Sequence, residues 1–143
     1  MLDMVSLRII EELSENARTP YMEIARKLNL SESAIRKRVE NLQNDGVIKQ
    51  YSLVVDHSKL GFGNIALVGV DVDSEYFFDV AKQLKKIDEV KYMASSTGDH
   101  MFMLKIWARD SEHLNEISNT IKHIEGVRRI CPAIIKDTIK GTI

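Results

Sequence analysis

Arg36, Lys37 and Arg38 stand side by side, and Ser31 and Ser33 precede them by a few positions. A guanidinium can bridge O6 and N7 of guanine, and Arg or Lys can pair with phosphate. Hydroxyls at a helix start serve phosphate oxygens or base edges. These five residues are therefore a candidate contact surface for double-stranded DNA. The charge is local. Residues 1–60 carry nine Lys/Arg and nine Asp/Glu, but between Arg26 and Arg38 five basic residues face one acid, Glu32. With a formal net charge of −1 over 143 residues, no diffuse basic field exists to do the same work. A short basic run is ordinarily just a solvated face, so the elements that hold it decide its meaning.

Those elements are helices. Val5, Ile9, Ile10 and Leu13 recur at helical spacing, with Asp3 or Ser6 able to cap the start. Thr19-Pro20 predicts the start of a second helix, Thr as cap and Pro at the first helical position. Tyr21, Ile24, Ala25 and Leu28 form its buried stripe, Asn29 suits a left-handed stop, and Leu30 is expected to tuck inward. Ser31 caps a third helix that runs to Asn44 or Asp45 and ends at Gly46. On its wheel Ile35, Val39 and Leu42 cover one side. Ser33, Lys37 and Glu40 lie opposite, and Arg36 and Arg38 flank them. This spacing is that of a helix-turn-helix whose third helix a major groove admits. A single small module binds weakly, so a dimer spanning two half-sites is expected.

Beyond Gly46 the pattern changes. Val47–Val55 is rich in β-branched residues and reads as a strand. The polar stretch 56–63, with two glycines, reads as a hinge. Residues 64–143 then alternate as strand 65–72, helix 75–87, strands 90–96 and 101–108, helix 111–124 and strand 127–136. The order βαββαβ predicts a ferredoxin-like sandwich, helices on one face of an antiparallel sheet. The expected organisation is α+β: a winged helix-turn-helix over 1–55, a hinge over 56–63, and a sheet domain over 64–143. Met101-Phe102-Met103-Leu104 is apolar on both alternations. A sheet apolar on both faces needs cover, which predicts a homo-oligomer formed through that face.

Other chemistry is poorly represented. His57, His100, His113 and His123 have no partners at metal-ligand spacing, so no metal site is expected, though His100 is a candidate donor to a ligand carboxylate. Trp107 reads as sheet packing. No phosphate loop and no nucleophile with a nearby base argues for an enzyme, and no cofactor is expected. Cys131 sits in an apolar run and reads as a structural thiol. No run approaches the ~20 apolar residues of a membrane span. The N-terminus does not read as a signal peptide, so a cytoplasmic location is expected.

NARTPYMEIARKLNLSESAIRKRVENLQNDGVIKQYSLVVD, followed by Lys59-Leu60-Gly61, resembles the Lrp/AsnC (feast/famine) transcriptional regulators, most closely archaeal members. STGDHMFMLKI at 96–106 resembles their effector-sensing domain. The resemblance spans nearly the whole chain. It implies dimers joined through the sheet face and assembled further into tetramers or octamers. It also implies a small-molecule effector, an amino acid, bound between dimers at the loop Ser96, Thr97, Gly98, Asp99, His100 and Met101. Family members commonly carry Asp where Ser6 stands, and either residue caps. The family pattern at the loop is close to Gly-Asp-Tyr-Asp, where this chain has Gly98-Asp99-His100-Met101. A thioether cannot accept an ionic hydrogen bond from an ammonium group. Three outcomes stay open: another group substitutes, the effector is unusual, or no amino acid binds and the protein is an architectural DNA-wrapping relative with a vestigial site.

Overall fold

The computed structural model describes residues 1–141. They divide into two compact units, residues 1–53 and 54–141. The first is three helices, α1 Met4–Glu15, α2 Tyr21–Leu28 and α3 Glu32–Asn44. Asp3 caps α1, its carboxylate accepting the Ser6 N–H at 2.7 Å. Ser31 caps α3 in the same way, accepting from Ala34 N–H at 3.2 Å. Thr19 does not cap α2: its hydroxyl turns back to donate to the Asn16 carbonyl at 2.8 Å, and α2 begins after Pro20 with no side-chain cap. Asn29 takes the left-handed conformation, φ 53°. That turn lets the Leu30 N–H reach the Ala25 carbonyl and close α2. Leu30 stays 37% exposed instead of tucking inward, because its N–H, not its side chain, makes the closing contact. Ile9, Leu13, Ile24, Ala25, Ile35, Val39 and Leu42 form the core where the helices meet.

The strand expected over Val47–Val55 is not formed. Val47 and Ile48 donate their N–H groups back to the Leu42 carbonyl, closing α3, and among the described residues no strand pairs with those that follow. β-branched composition favours extended chain, but a strand exists only with a ladder partner. Val47, Tyr51, Leu53 and Val54 are left exposed.

The second unit is β1 Asn64–Val72, α4 Phe77–Leu84, β2 Val90–Ser95, β3 Phe102–Ala108, α5 Ser111–Lys122 and β4 Val127–Ile134. The sheet order is β2-β3-β1-β4 with every pair antiparallel, the ferredoxin-like arrangement expected. The first sheet-unit helix is shorter than its pattern suggested: Ser74–Tyr76 is a tighter 3-10 turn before α4. Period two sorts the strands. Val68, Val70, Phe102, Leu104 and Ile106 are buried on one face with Val80, Leu84, Leu114, Ile117 and Ile121 from the two helices. Each such side chain contributes about 1.5–3 kcal/mol by leaving water. The register places Leu67, Gly69, Tyr92, Met103, Trp107 and Cys131 on the opposite face with Lys105. Leu67 is 38% and Tyr92 57% exposed there, so this outer face is largely apolar and open to solvent.

Candidate functional site

α3 presents its groups unequally. Ile35, Val39 and Leu42 are buried beneath it, which turns Ser33, Lys37 and Glu40 outward. Lys37 is exposed and makes no ion pair among the described residues. Arg36 pairs with Glu32 one turn earlier at 2.9 Å, and its guanidinium lies 5.3 Å from the centre of the Tyr21 ring. Both partners are solvent-facing, so the pair is weak and the guanidinium is held in position at small cost to its release. Ser31 and Ser33 hydroxyls lie 3.1 Å apart at the helix start. Four of the five sequence-identified groups thus lie together on the open side of α3.

Arg38 is placed differently. Its guanidinium reaches the Asp3 carboxylate at 2.7 Å and the Ser6 hydroxyl at 3.3 Å, tying α3 to the start of α1. The Ser6 backbone N–H, then Arg38, pull the Asp3 carboxyl down to about 2. Arg38 is therefore occupied inside its own unit. Sequence spacing cannot separate it from Arg36 because the partner is 35 residues away.

The loop 96–101 joins β2 to β3. The Ser96 hydroxyl donates to the His100 carbonyl, and the Ser96 N–H donates to the Met101 carbonyl at 2.9 Å, which closes the loop. Thr97, Gly98 and Asp99 are its exposed tip. Met101 is partly buried and packs against the sheet-and-helix core. His100 folds the other way, onto the outer face. Its ring occupies the space a side chain at Gly69 would need: a Cβ there would sit 2.1 Å from the His100 Cδ2. His100 Nδ1 lies 2.9 Å from Asp71 Oδ1, and Arg129 Nε donates to Asp71 Oδ2 at 2.7 Å. The hydrogen bond from His100, then that from Arg129, hold the Asp71 carboxyl below the usual carboxylate range. A polar cluster of β1, β4 and loop residues thus stands where the outer face meets the loop.

Asp71, Arg129 and Gly69 escaped the sequence reading. The one available signal was Gly69-Val70-Asp71, a glycine and an acid inside an otherwise apolar strand run. The remaining histidines lie apart: His57 packs edge-on to Trp107 with ring centres 4.4 Å apart, His113 pairs with Glu89, and His123 ends α5. Among the described residues no helix is long and apolar enough to cross a membrane.

Comparison with known proteins adds the following. Residues 2–49 match the family model for winged helix-turn-helix DNA-binding domains, and residues 65–142 match that for the Lrp/AsnC ligand binding domain. The HTH-type transcriptional regulator LrpA of Pyrococcus horikoshii is 46% identical over 141 residues, covering 98% of this chain and all of the relative. Among solved structures, E. coli AsnC superposes with a TM-score of 0.87 at 27% identity, covering 100% of this chain and 98% of that one. A Neisseria meningitidis transcriptional regulator in complex with L-Met has the same fold, with a TM-score of 0.90 at 23% identity over 99% of this chain and 94% of that one.

Proposed function

This chain belongs to the Lrp/AsnC family of DNA-binding transcriptional regulators, a family of regulators and not of enzymes, and from that premise we propose that α3 reads a specific DNA sequence through Arg36 and Lys37. The observation that carries this is the exposed pair on a helix whose other side is buried in the core. Ser31 and Ser33 serve phosphate or base edges at the helix start, and Arg38 holds the helix to α1. Gel shifts on the promoter DNA of the protein's own gene test this with the Arg36→Ala/Lys37→Ala double variant. Unchanged affinity would sink the assignment.

The same proposal makes the second unit a sensor that assembles through its outer sheet face into a homodimer and higher oligomers. Its effector is a small molecule, an amino acid, received at loop 96–101. Support comes from the apolar outer face and from the His100–Asp71–Arg129 cluster beside the loop. One observation favours the architectural reading instead: Met101 spends its side chain on the core and offers no acceptor for an ammonium group. Calorimetric titration with a panel of amino acids separates the two, since a vestigial site gives no heat with any of them.

A further inference from the structure

Arg36 and Lys37 are neighbours on α3, yet only Arg36 is restrained. Lys37 is exposed and makes no ion pair among the described residues. Arg36 is held from two directions. Its Nη2 donates to Glu32 Oε1 at 2.9 Å, one turn back on its own helix. Its guanidinium carbon lies over the ring of Tyr21, 5.3 Å from the centroid, and Tyr21 is the first residue of α2. An exposed ion pair within one helix leaves both long side chains much of their freedom. The ring adds a point of attachment on a second helix.

The ring is itself held. Tyr21 shares the inward stripe of α2 with Ile24 and Ala25, both buried, and packs partly against the helical core. Its phenol meets that of Tyr51: partial burial, then Tyr21, hold the Tyr51 hydroxyl above the ordinary tyrosine value. Core packing at one end and a second phenol at the other thus fix the ring, and the ring fixes the guanidinium.

The consequence falls on recognition. A phosphate can be met by a cation in many rotamers. Guanine O6 and N7 accept only from a planar fork correctly placed. An exposed Arg gives up rotamer freedom to make that fork, and a side chain already ordered gives up less. Glu32 takes one N–H at Nη2, and Arg36 makes no other hydrogen bond among the described residues. Nη1 and Nε therefore remain for a base edge.

We propose that Tyr21 is a positioning residue for base selection: its ring face holds the Arg36 guanidinium ready to bridge guanine, and so sets sequence preference more than overall affinity for DNA. This rests on the reading of DNA by Arg36 and names guanine as what that residue reads.

The test is selection of bound duplexes from a randomised library by the full chain, followed by the ratio of specific to non-specific affinity. The variants are Arg36→Ala, Tyr21→Leu, Tyr21→Phe, and a chain with trifluorinated phenylalanine at position 21. Fluorine withdraws charge from the ring face and leaves its shape nearly unchanged, so this last variant answers even if Tyr21→Leu fails to fold. Arg36→Ala should erase a guanine preference at one position of each half-site. Tyr21→Leu and the fluorinated ring should weaken that same preference by roughly two- to ten-fold, the range of one cation–π contact. Tyr21→Phe, which keeps the ring face, should restore it. If Arg36→Ala loses the guanine and the fluorinated ring keeps it in full, the positioning role is refuted while reading by Arg36 stands. Equal weakening of all sequences by Tyr21→Phe would also overturn the proposal, since the Tyr21 hydroxyl would then be touching phosphate. An unchanged preference in Arg36→Ala would remove the reading by Arg36 and this role with it.

Discussion

In the helical unit the groups assigned to DNA come from one helix and its cap. In the sheet unit the groups gathered beside loop 96–101 come from β1, β4 and the loop, with Asp71 and Arg129 58 residues apart. The difference is one of how position is specified. A capped helix fixes where its side chains point from local sequence alone, so Ile35, Val39 and Leu42 going in sends Lys37 out. A cross-strand cluster exists only once the register is set, and register depends on long-range pairing.

The largest effects should come from the cores that hold each arrangement. Phe102→Ala should cost about 3–5 kcal/mol in the sheet unit and Ile35→Ala about 2–5 kcal/mol in the helical unit, measured by denaturant unfolding. Ile35→Ala should also abolish specific DNA binding, because α3 loses its seat. Retained operator affinity in that variant would break the claim that burial beneath α3 aims its outer side chains.

Next come single charges on α3. Lys37→Ala or Arg36→Ala should cost about 1–3 kcal/mol of DNA affinity if the side chain reads a base. If it only neutralises phosphate, the salt dependence should flatten by about one unit per lost contact. Arg38→Ala should act on folding, lowering the melting temperature of the helical unit with little change in which DNA sequence is preferred. A specificity change from Arg38→Ala, with stability intact, would reverse the roles given to these neighbours.

Met101→Asp tests the loop. It places a carboxylate where a thioether packs on the core, which should destabilise the sheet unit by about 1–3 kcal/mol. Unaltered stability in chemical denaturation would mean that position 101 can turn away from the core and is free to serve a ligand.

The smallest effect concerns Asp3. Its carboxyl is depressed to about 2 in the folded chain. The stabilisation is therefore present above the ordinary carboxylate value and is lost as pH falls toward 2. Asp3→Asn should lower the melting temperature slightly at neutral pH, and the gap from wild type should close between about pH 4 and 2. A gap independent of pH would assign the loss to the helix cap and not to the charge.

Legibility followed the same division. Asp3 and Ser31 caps, the Asn29 turn, the buried stripes and the βαββαβ order were all readable, because each is written in neighbouring residues. The errors have physical causes. Val47–Val55 has strand composition but no partner to pair with. Thr19 donates its hydroxyl to the Asn16 carbonyl and accepts no N–H from the helix it precedes. Apart from these errors, the contact of Arg38 with Asp3 spans 35 residues and could not be read from α3 alone. Within the 96–101 loop the sequence named the residues but could not say that His100 and Met101 leave it in opposite directions, one to each face of the sheet.

Cys131, the only thiol in the chain, stands directly opposite Gly69 on the outer face. A thiol is alkylated only as its thiolate and only when a reagent can reach it. The chain therefore carries a built-in clock for the exposure of that face, with no label to attach. If copies associate there, the alkylation half-life should lengthen as protein concentration rises. Any compound that loosens or tightens the assembly should register as a change in that half-life before it is seen on DNA.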